Sequence, residues 1–398
     1  MKTRKLLFGL PLVVFLLLTA CHEKAKFIIF ANNDEMIVYA DGTRAPSNNP
    51  TIAGSLNNGE EISILPEAWM NYYHDLSDYL NVAKYYEVGV ENTKPISNIL
   101  SWTVTEDANY YLAYISKSVS MSNPDIVFAM DKTIELKDLF AGTHYYYQIH
   151  AHYEDRTVIS RRFDFKTVDF FRTLDIDGVQ NARDIGNKVT ADGLKKVKQG
   201  IVYRSAHLDS VTEKGKIQAK EFYGIKIDLD LRGTGPTASP LGTGVTYVNN
   251  GAGGNYGSPY YTGNDGIQQE QYKPVMKANL ALFADINNLP LLFHCAVGRD
   301  RTGTLAVMLY LILGVDLEQL KQDYIVYVFT SICNSDTVEY MTPAFNGLLN
   351  YINTYVGNDG VNSGTIYQRA EEYCLDIGLT SSQLNSIRNN LLEDIPNE

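Results

Sequence analysis

Phe293 to Gly303 reads FHCAVGRDRTG. A cysteine follows an apolar run, five residues separate it from Arg301, and a threonine and a glycine close the stretch. A thiol and a guanidinium at that spacing suit nucleophilic attack on a phosphate held by a single loop. If Cys295 ends a buried strand and Arg301 begins a helix, the backbone N–H groups from Ala296 to Thr302 lack helical partners and can converge on one anion. Gly298 lets the chain curl inward, the positive end of the helix favours the thiolate of Cys295, and Arg301 offers a planar fork to two oxygens. Cys295 would attack phosphorus in line while the loop amides and Arg301 stabilise the equatorial oxygens. Ala296, Val297, Gly298, Arg299, Thr302 and Gly303 are the candidate substrate-binding positions. The Thr302 hydroxyl would donate to the sulfur in the second step, and His294 would order the loop rather than act as a base. This chemistry needs neither a metal nor a cofactor.

The elements that must position these groups are legible around them. Leu289–Cys295 (LPLLFHC) and Ile225–Arg232 (IKIDLDLR) are strand-like, and Thr302–Gly314 (TGTLAVMLYLILG) is an apolar helix that must be buried on most of its circumference. Strand and helix patterns alternate after about Val168, which predicts an α/β domain over residues 168–398, its mainly parallel sheet flanked by helices. Gly233 to Asp265 is rich in glycine and proline and reads as one long, mobile connection of the kind that forms lids.

HCxxGxxRTG resembles the signature of the protein tyrosine phosphatase superfamily, and further segments are similar to its bacterial tyrosine/serine phosphatase branch. These are QNARDIGN (Gln180 to Asn187), GIVYRSAHLDSVT (Gly200 to Thr212), DLR (Asp230 to Arg232), the helix after the loop, and GLTSSQLNSIRNNLLE (Gly378 to Glu393). Ala182 replaces an aromatic of the branch and Arg299 a frequent lysine. The resemblance implies Asp300 as the general acid that protonates the leaving oxygen. A structural role, accepting backbone N–H bonds to hold the loop, is the alternative, and Asp265 in the lid is then the acid. Arg183, Asp230 and Arg232 are expected to support the site, with Asp184, Asp228 and Asp230 pairing with Arg183, Arg204 or Arg232 at its rim. Lys195, Lys196 and Lys198 read as a solvated face.

Residues 88–167 hold short runs with apolar, aromatic and β-branched alternation, which predicts an all-β sandwich. Leu139 to Ala151 (LFAGTHYYYQIHA) resembles the corner between two strands of fibronectin type III domains, with Ala141 where a proline is usual. The resemblance implies Tyr145 as a corner tyrosine whose hydroxyl bonds to the loop backbone, with Trp102 across the core. His144, His150 and His152 are expected at the surface rather than on a metal.

The chain opens with Lys2, Arg4 and Lys5 before an apolar run too short to span a bilayer, an export signal over residues 1–20. Leu18 to Cys21 resembles the bacterial lipobox, which implies lipidation of Cys21 and an extracytoplasmic protein held to a membrane by acyl chains alone. Residues 21–87 lack clear periodicity and are expected to form a tether and an ill-defined lead-in. A net charge of −12, made more negative by loss of the signal, argues against a nucleic-acid partner. Cys333 and Cys374 could pair in an oxidising compartment or stay as buried thiols.

Two functions are compatible with these features. The first is a phosphomonoesterase with a cysteinyl-phosphate intermediate, its substrate a phosphotyrosine or phosphoserine protein or a phosphorylated inositol or lipid. The second is a surface protein that grips a protein or glycan with the sandwich and only recognises phosphate. Retention of both Cys295 and Arg301 favours the first.

Overall fold

The computed structural model describes residues 34–76, 79–251, 261–262, 265–333, 335–358, 360 and 364–395. The signal and Cys21 lie outside the described residues. Two compact units divide the chain: residues up to 64 with 96–169, and residues 65–95 with 170 onward.

The first unit is all-β. Its strands are β1 (Met36–Tyr39), β2 (Arg44–Pro46), β3 (Ile52–Gly54), β4 (Glu60–Ile62), β5 (Asn98–Val104), β6 (Tyr110–Ser116), β7 (Asp125–Ala129), β8 (Thr133–Leu136), β9 (His144–His152), β10 (Arg156–Ile159) and β11 (Phe163–Thr167). One sheet runs β3-β5-β8; the other sets β7 and β6 on one side of β9 and β10 and β11 in succession along its other side. Alternation decides what faces inward: Tyr145, Tyr147, Ile149 and Ala151 of β9 meet Trp102 and Leu100 of β5 and Phe163 and Phe165 of β11 in one core. The Phe140 N–H donates to the Tyr145 hydroxyl at 2.8 Å. Trp102 stands edge-on to Tyr111, ring centres 5.4 Å apart.

Two sequence expectations change here. Residues 36–62, read as part of a tether, supply β1 to β4, and β4 extends the larger sheet by pairing with β11. Strands of three or four residues carry too few positions for a period to show. The buried Glu35 carboxylate fastens this stretch by accepting from the N–H groups of Thr51 and Ile52. The three histidines are half-buried rather than free at the surface: His144 pairs with Asp164 at 2.8 Å, His150 lies against the Tyr114 ring, and His152 stacks on Tyr110.

The second unit is built on a sheet of β12 (Arg183–Asp184), β14 (Val202–Ser205), β15 (Ile227–Asp230), β16 (Thr246–Asn249) and β19 (Leu291–His294), in the order β12-β14-β19-β15-β16. All neighbours are parallel except β12, which runs antiparallel at the edge and makes the sheet mixed. Short pairs lie outside it: β13 (Lys195–Val197) with β20 (Leu392–Asp394), and β17 (Tyr261–Thr262) with β18 (Asp265–Gly266). Lys195 and Lys196 pair with Asp394 and Glu393 across the first of these. The stretch after Arg232, expected as one lid, is interrupted by β16, whose pairing with β15 fixes its middle.

Helix Asp300–Leu313 is buried at every position but Arg301, as its all-round apolar sequence requires. Gly314, in the left-handed region, ends it. Residues 65–95, which follow β4 in sequence, belong to this second unit through the helix Glu67–His74. Trp69 on that helix is buried, stacked on Phe329 with ring centres 4.8 Å apart. Among the described residues no helix is long and apolar enough to cross a membrane.

Candidate active site

Strand β19 lies between β14 and β15, so the residues that leave all three strands at their C-terminal ends meet at one place. Cys295 is there, 2% exposed, followed by the loop that leads into helix Asp300–Leu313. Three successive loop carbonyls are tied from outside. The His207 N–H donates to Ala296 O at 3.0 Å. Asn181 Nδ2 donates to Val297 O and Gly298 O, each at 3.1 Å, and Arg204 Nη2 donates to Gly298 O at 2.9 Å. In a trans peptide the N–H of the next residue points opposite to the carbonyl. The amides of Val297, Gly298 and Arg299 are thereby turned to the inner side of the loop, as an anion cradle requires.

Two glycines make this backbone possible. Gly298 has φ +73°, and a Cβ there would stand 2.4 Å from Ser205 O. A Cβ on Gly303 would meet the Tyr324 ring at 2.7 Å, so the glycine of the RTG ending serves close packing of the helix.

Beneath the loop lies a buried charge cluster. Asp323, on helix Leu317–Ile325, accepts from Arg183 Nε at 3.0 Å and from Arg204 Nη1 at 2.6 Å, and Lys188 Nζ is 3.8 Å away. Three cations thus share one carboxylate out of contact with water. Burial pushes Lys188 down to about 8 and Arg183 down to about 10. Burial would raise Asp323, but Arg183, Arg204 and Lys188 together hold it far below the usual carboxylate range. The uncompensated positive charge favours an anion in the loop above.

At the mouth, Asp230 is fully buried and accepts from Arg232 Nε and Nη2 and from the Tyr247 hydroxyl. Burial would raise its carboxyl, yet the Arg232 bonds and the His294 ring outweigh it and hold it below the ordinary value. Arg232 also grips Asp209 with two bonds, 2.7 and 3.0 Å. The carbonyls of Leu231 and Arg232 accept from Arg301 Nη1 at 3.4 and 3.1 Å, which fixes that guanidinium against the end of β15. His294 is buried with Nε2 2.9 Å from Asp228 Oδ1 and Nδ1 3.1 Å from Cys295 O, an orienting position directly behind the cysteine.

The structure therefore brings Cys295, the loop residues, Arg301, His294, Asp230, Arg232 and Arg183 to one site. It differs from the sequence reading in five respects, one of them Asp228, which takes the His294 ring and the Ser239 hydroxyl rather than an arginine. Arg299 does not stand free beside the loop: its guanidinium clasps both oxygens of Asp300 at 2.8 Å and lies over the Tyr327 ring. Asp300, 7% exposed, is thus an ion-pair partner of its neighbour, and delivery of a proton from it requires that pair to open. The Thr302 hydroxyl is buried without a hydrogen-bond partner, so a bond to the sulfur is not made in this state. Asp184 pairs with Arg172 at 2.9 Å rather than with Arg183 or Arg204.

Of the competing acid, Asp265, only the backbone in β18 is described; its side chain lies outside the described residues. Cys333 and Cys374 are buried and are not joined to each other, and burial pushes the Cys374 thiol well up. Among the described residues no cluster of His, Cys, Asp and Glu could hold a metal. Asn181, Arg204 as a loop ligand, Asp209 and Asp323 escaped the sequence reading. The one local signal was Asn181, a residue type tolerant of the left-handed backbone it adopts at φ +55°.

The site thus sets a strand-ending cysteine under inward amides and closes it with an arginine on the first turn of a buried helix. The chain belongs to the tyrosine phosphatase family, which its residues 174–393 match. A protein of Cupriavidus necator named as a candidate tyrosine-protein phosphatase is 24% identical over 180 residues, 38% of this chain and 62% of that protein. The chain thus spans under two thirds of that relative's length. Among solved structures, the core catalytic domain of the PP-IP phosphatase SIW14 from S. cerevisiae in complex with citrate is 18% identical, covering 37% of this chain and 84% of that one, with a TM-score of 0.26. A second structure of the Siw14 catalytic core is 17% identical, covering 38% and 92%, with a TM-score of 0.27.

Proposed function

We propose that the protein is a phosphomonoesterase in which Cys295 is the nucleophile. The observation that carries this reading is the tying of three successive carbonyls away from the loop, which leaves three amides around the position a phosphoryl group would take above Cys295. The Cys295 thiolate attacks phosphorus, the S–P bond forms as the ester P–O bond breaks, and the leaving oxygen takes a proton from an acid. Water then gives a proton to the carboxylate that served as the acid and attacks the cysteinyl phosphate, forming a P–O bond as the S–P bond breaks and the thiolate is released. The loop amides and Arg301 stabilise the spread charge of both transition states. Asp300 is the acid in this reading once its pair with Arg299 opens on substrate binding, and Asp265 is the competitor.

The substrate class is phosphotyrosine or phosphoserine in a protein, or a phosphorylated inositol. Acyl chains on Cys21 hold the enzyme at an extracytoplasmic membrane face, and the all-β unit is a fibronectin type III-like module, a reading supported by the Phe140 to Tyr145 bond. Steady-state assay of wild type and Cys295→Ser against phosphotyrosine, phosphoserine and inositol phosphate substrates tests the proposal. Hydrolysis by wild type alone is expected. Phosphate binding without hydrolysis by wild type would favour the recognition protein instead.

A further inference from the structure

The family match begins at residue 174, yet part of the support of the catalytic loop comes from residues 91–94, far upstream. Glu91 Oε2 accepts from both the N–H and the hydroxyl of Ser331 at 3.0 Å, and its Oε1 accepts from the N–H and hydroxyl of Thr93. The Asn92 N–H donates to Phe329 O at 2.8 Å. Thr93, 3% exposed, receives the Asn181 N–H on its hydroxyl oxygen at 3.3 Å. Lys94 Nζ donates to Ile176 O at 2.7 Å and to Val179 O at 2.8 Å, closing the turn that leads to Asn181. Asn181 in turn holds two of the three tied loop carbonyls.

We infer that residues 91–94 form a strap whose Thr93 hydroxyl is a positioning group for the phosphate cradle. The route is short: Thr93 fixes the backbone of Asn181 in a left-handed conformation that a non-glycine residue adopts at a cost. The Asn181 amide then faces Val297 O and Gly298 O, and the amides of Gly298 and Arg299 face the substrate. Loss of the strap lets this turn relax and the cradle lose its aim, although no strap residue touches the phosphate.

The inference rests on the phosphatase reading for its kinetic arm but not for its structural one. In the full-length protein, Thr93→Val keeps the side chain's shape and removes the hydroxyl, while Thr93→Ser keeps the hydroxyl. The expected result is a kcat lowered roughly tenfold to a hundredfold in Thr93→Val, with p-nitrophenyl phosphate as substrate, and recovery of most of that loss in Thr93→Ser. Orthovanadate should bind Thr93→Val more weakly in the same order. Hydrogen exchange, measured without ligand, should quicken in Thr93→Val only around residues 176–182 and 296–300. A merely structural role would instead raise exchange throughout the second unit, and the serine variant would track its fold stability. Wild-type turnover by Thr93→Val, a serine variant as slow as the valine one, or unchanged exchange at the loop would each overturn the inference. Should the wild type hydrolyse no phosphate ester, the phosphatase reading fails, and the exchange arm still decides the strap.

Discussion

Arg204 and Asp323 are joined at 2.6 Å, and the other terminal nitrogen of the same guanidinium reaches the Gly298 carbonyl, so one buried ion pair anchors the floor of the loop that follows Cys295. Truncating a buried pair on one side leaves the remaining charge without compensation, at a cost of about 3–5 kcal/mol. Asp323→Asn should therefore unfold at much lower denaturant concentration than wild type, and its phosphatase rate should fall even where it is folded. The pH dependence has a fixed sign. The folded carboxyl is held below its unfolded value, so its contribution is fully present above the ordinary aspartate range of about 3.9 and is lost as pH falls through the folded value. Equal stability of Asp323→Asn and wild type at neutral pH would contradict this account.

Lys188 has the same sign of pH dependence, but its contribution is a cost rather than a gain. Burial pushes it down to about 8, so between that pH and its unfolded value the unfolded chain binds the extra proton and the lysine's cost to folding is relieved. Lys188→Met should be more stable than wild type at pH 7, and that advantage should shrink as pH rises from 8 towards 10. The same variant removes one of three cations beneath the loop and should bind orthovanadate less tightly. A stability difference independent of pH over that interval would show that the lysine's burial carries no proton linkage.

The pairing of Arg299 with Asp300 makes the general acid testable by leaving group. Asp300→Asn should slow alkyl phosphates far more than p-nitrophenyl phosphate, whose phenolate departs with little help. Arg299→Met removes this ion pair and should change the rate on alkyl phosphates more than that on p-nitrophenyl phosphate. Equal losses on both esters in Asp300→Asn would indicate loop collapse, and leaving-group dependence confined to Asp265→Asn would move the acid to the segment after β16.

Much of this site is legible in the sequence itself. Cys295, Gly298 and Arg301 sit together in one eleven-residue stretch, because strand end, turn and helix start are local events with local signals. What supports them is not. Arg204 and Asp323 lie 119 residues apart in the chain and Arg183 and Asp323 lie 140 apart, and a charge in a sequence does not announce which distant charge it meets. Arg172, not Arg183 or Arg204, takes Asp184 for the same reason. In the all-β unit, β6 and β9 showed their alternation over seven and nine residues, while the three-residue β2, β3 and β4 were too short to show any. Residues 65–95 were the hardest to place, since their anchor is the Trp69 to Phe329 stack rather than a repeat.

Among the three described cysteines, Cys295 alone stands in the loop, and alkylation should discriminate it. Iodoacetate near neutral pH should inactivate the enzyme with label on the peptide carrying Cys295, and inorganic phosphate should protect it. Cys374, buried with its thiol pushed well up, should stay unlabelled in the folded protein. First labelling at Cys333 or Cys374 would show that the loop does not activate its thiol.

The central claim is that phosphate passes through the sulfur of Cys295. Acid-quenched single turnover on p-nitrophenyl phosphate, followed by peptide mass spectrometry, tests it most directly. A transient phosphate adduct on the peptide containing Cys295 is expected in wild type, with Cys295→Ser slower by several orders of magnitude. Turnover near the wild-type rate in Cys295→Ser, or an adduct that forms on another residue, would contradict the account.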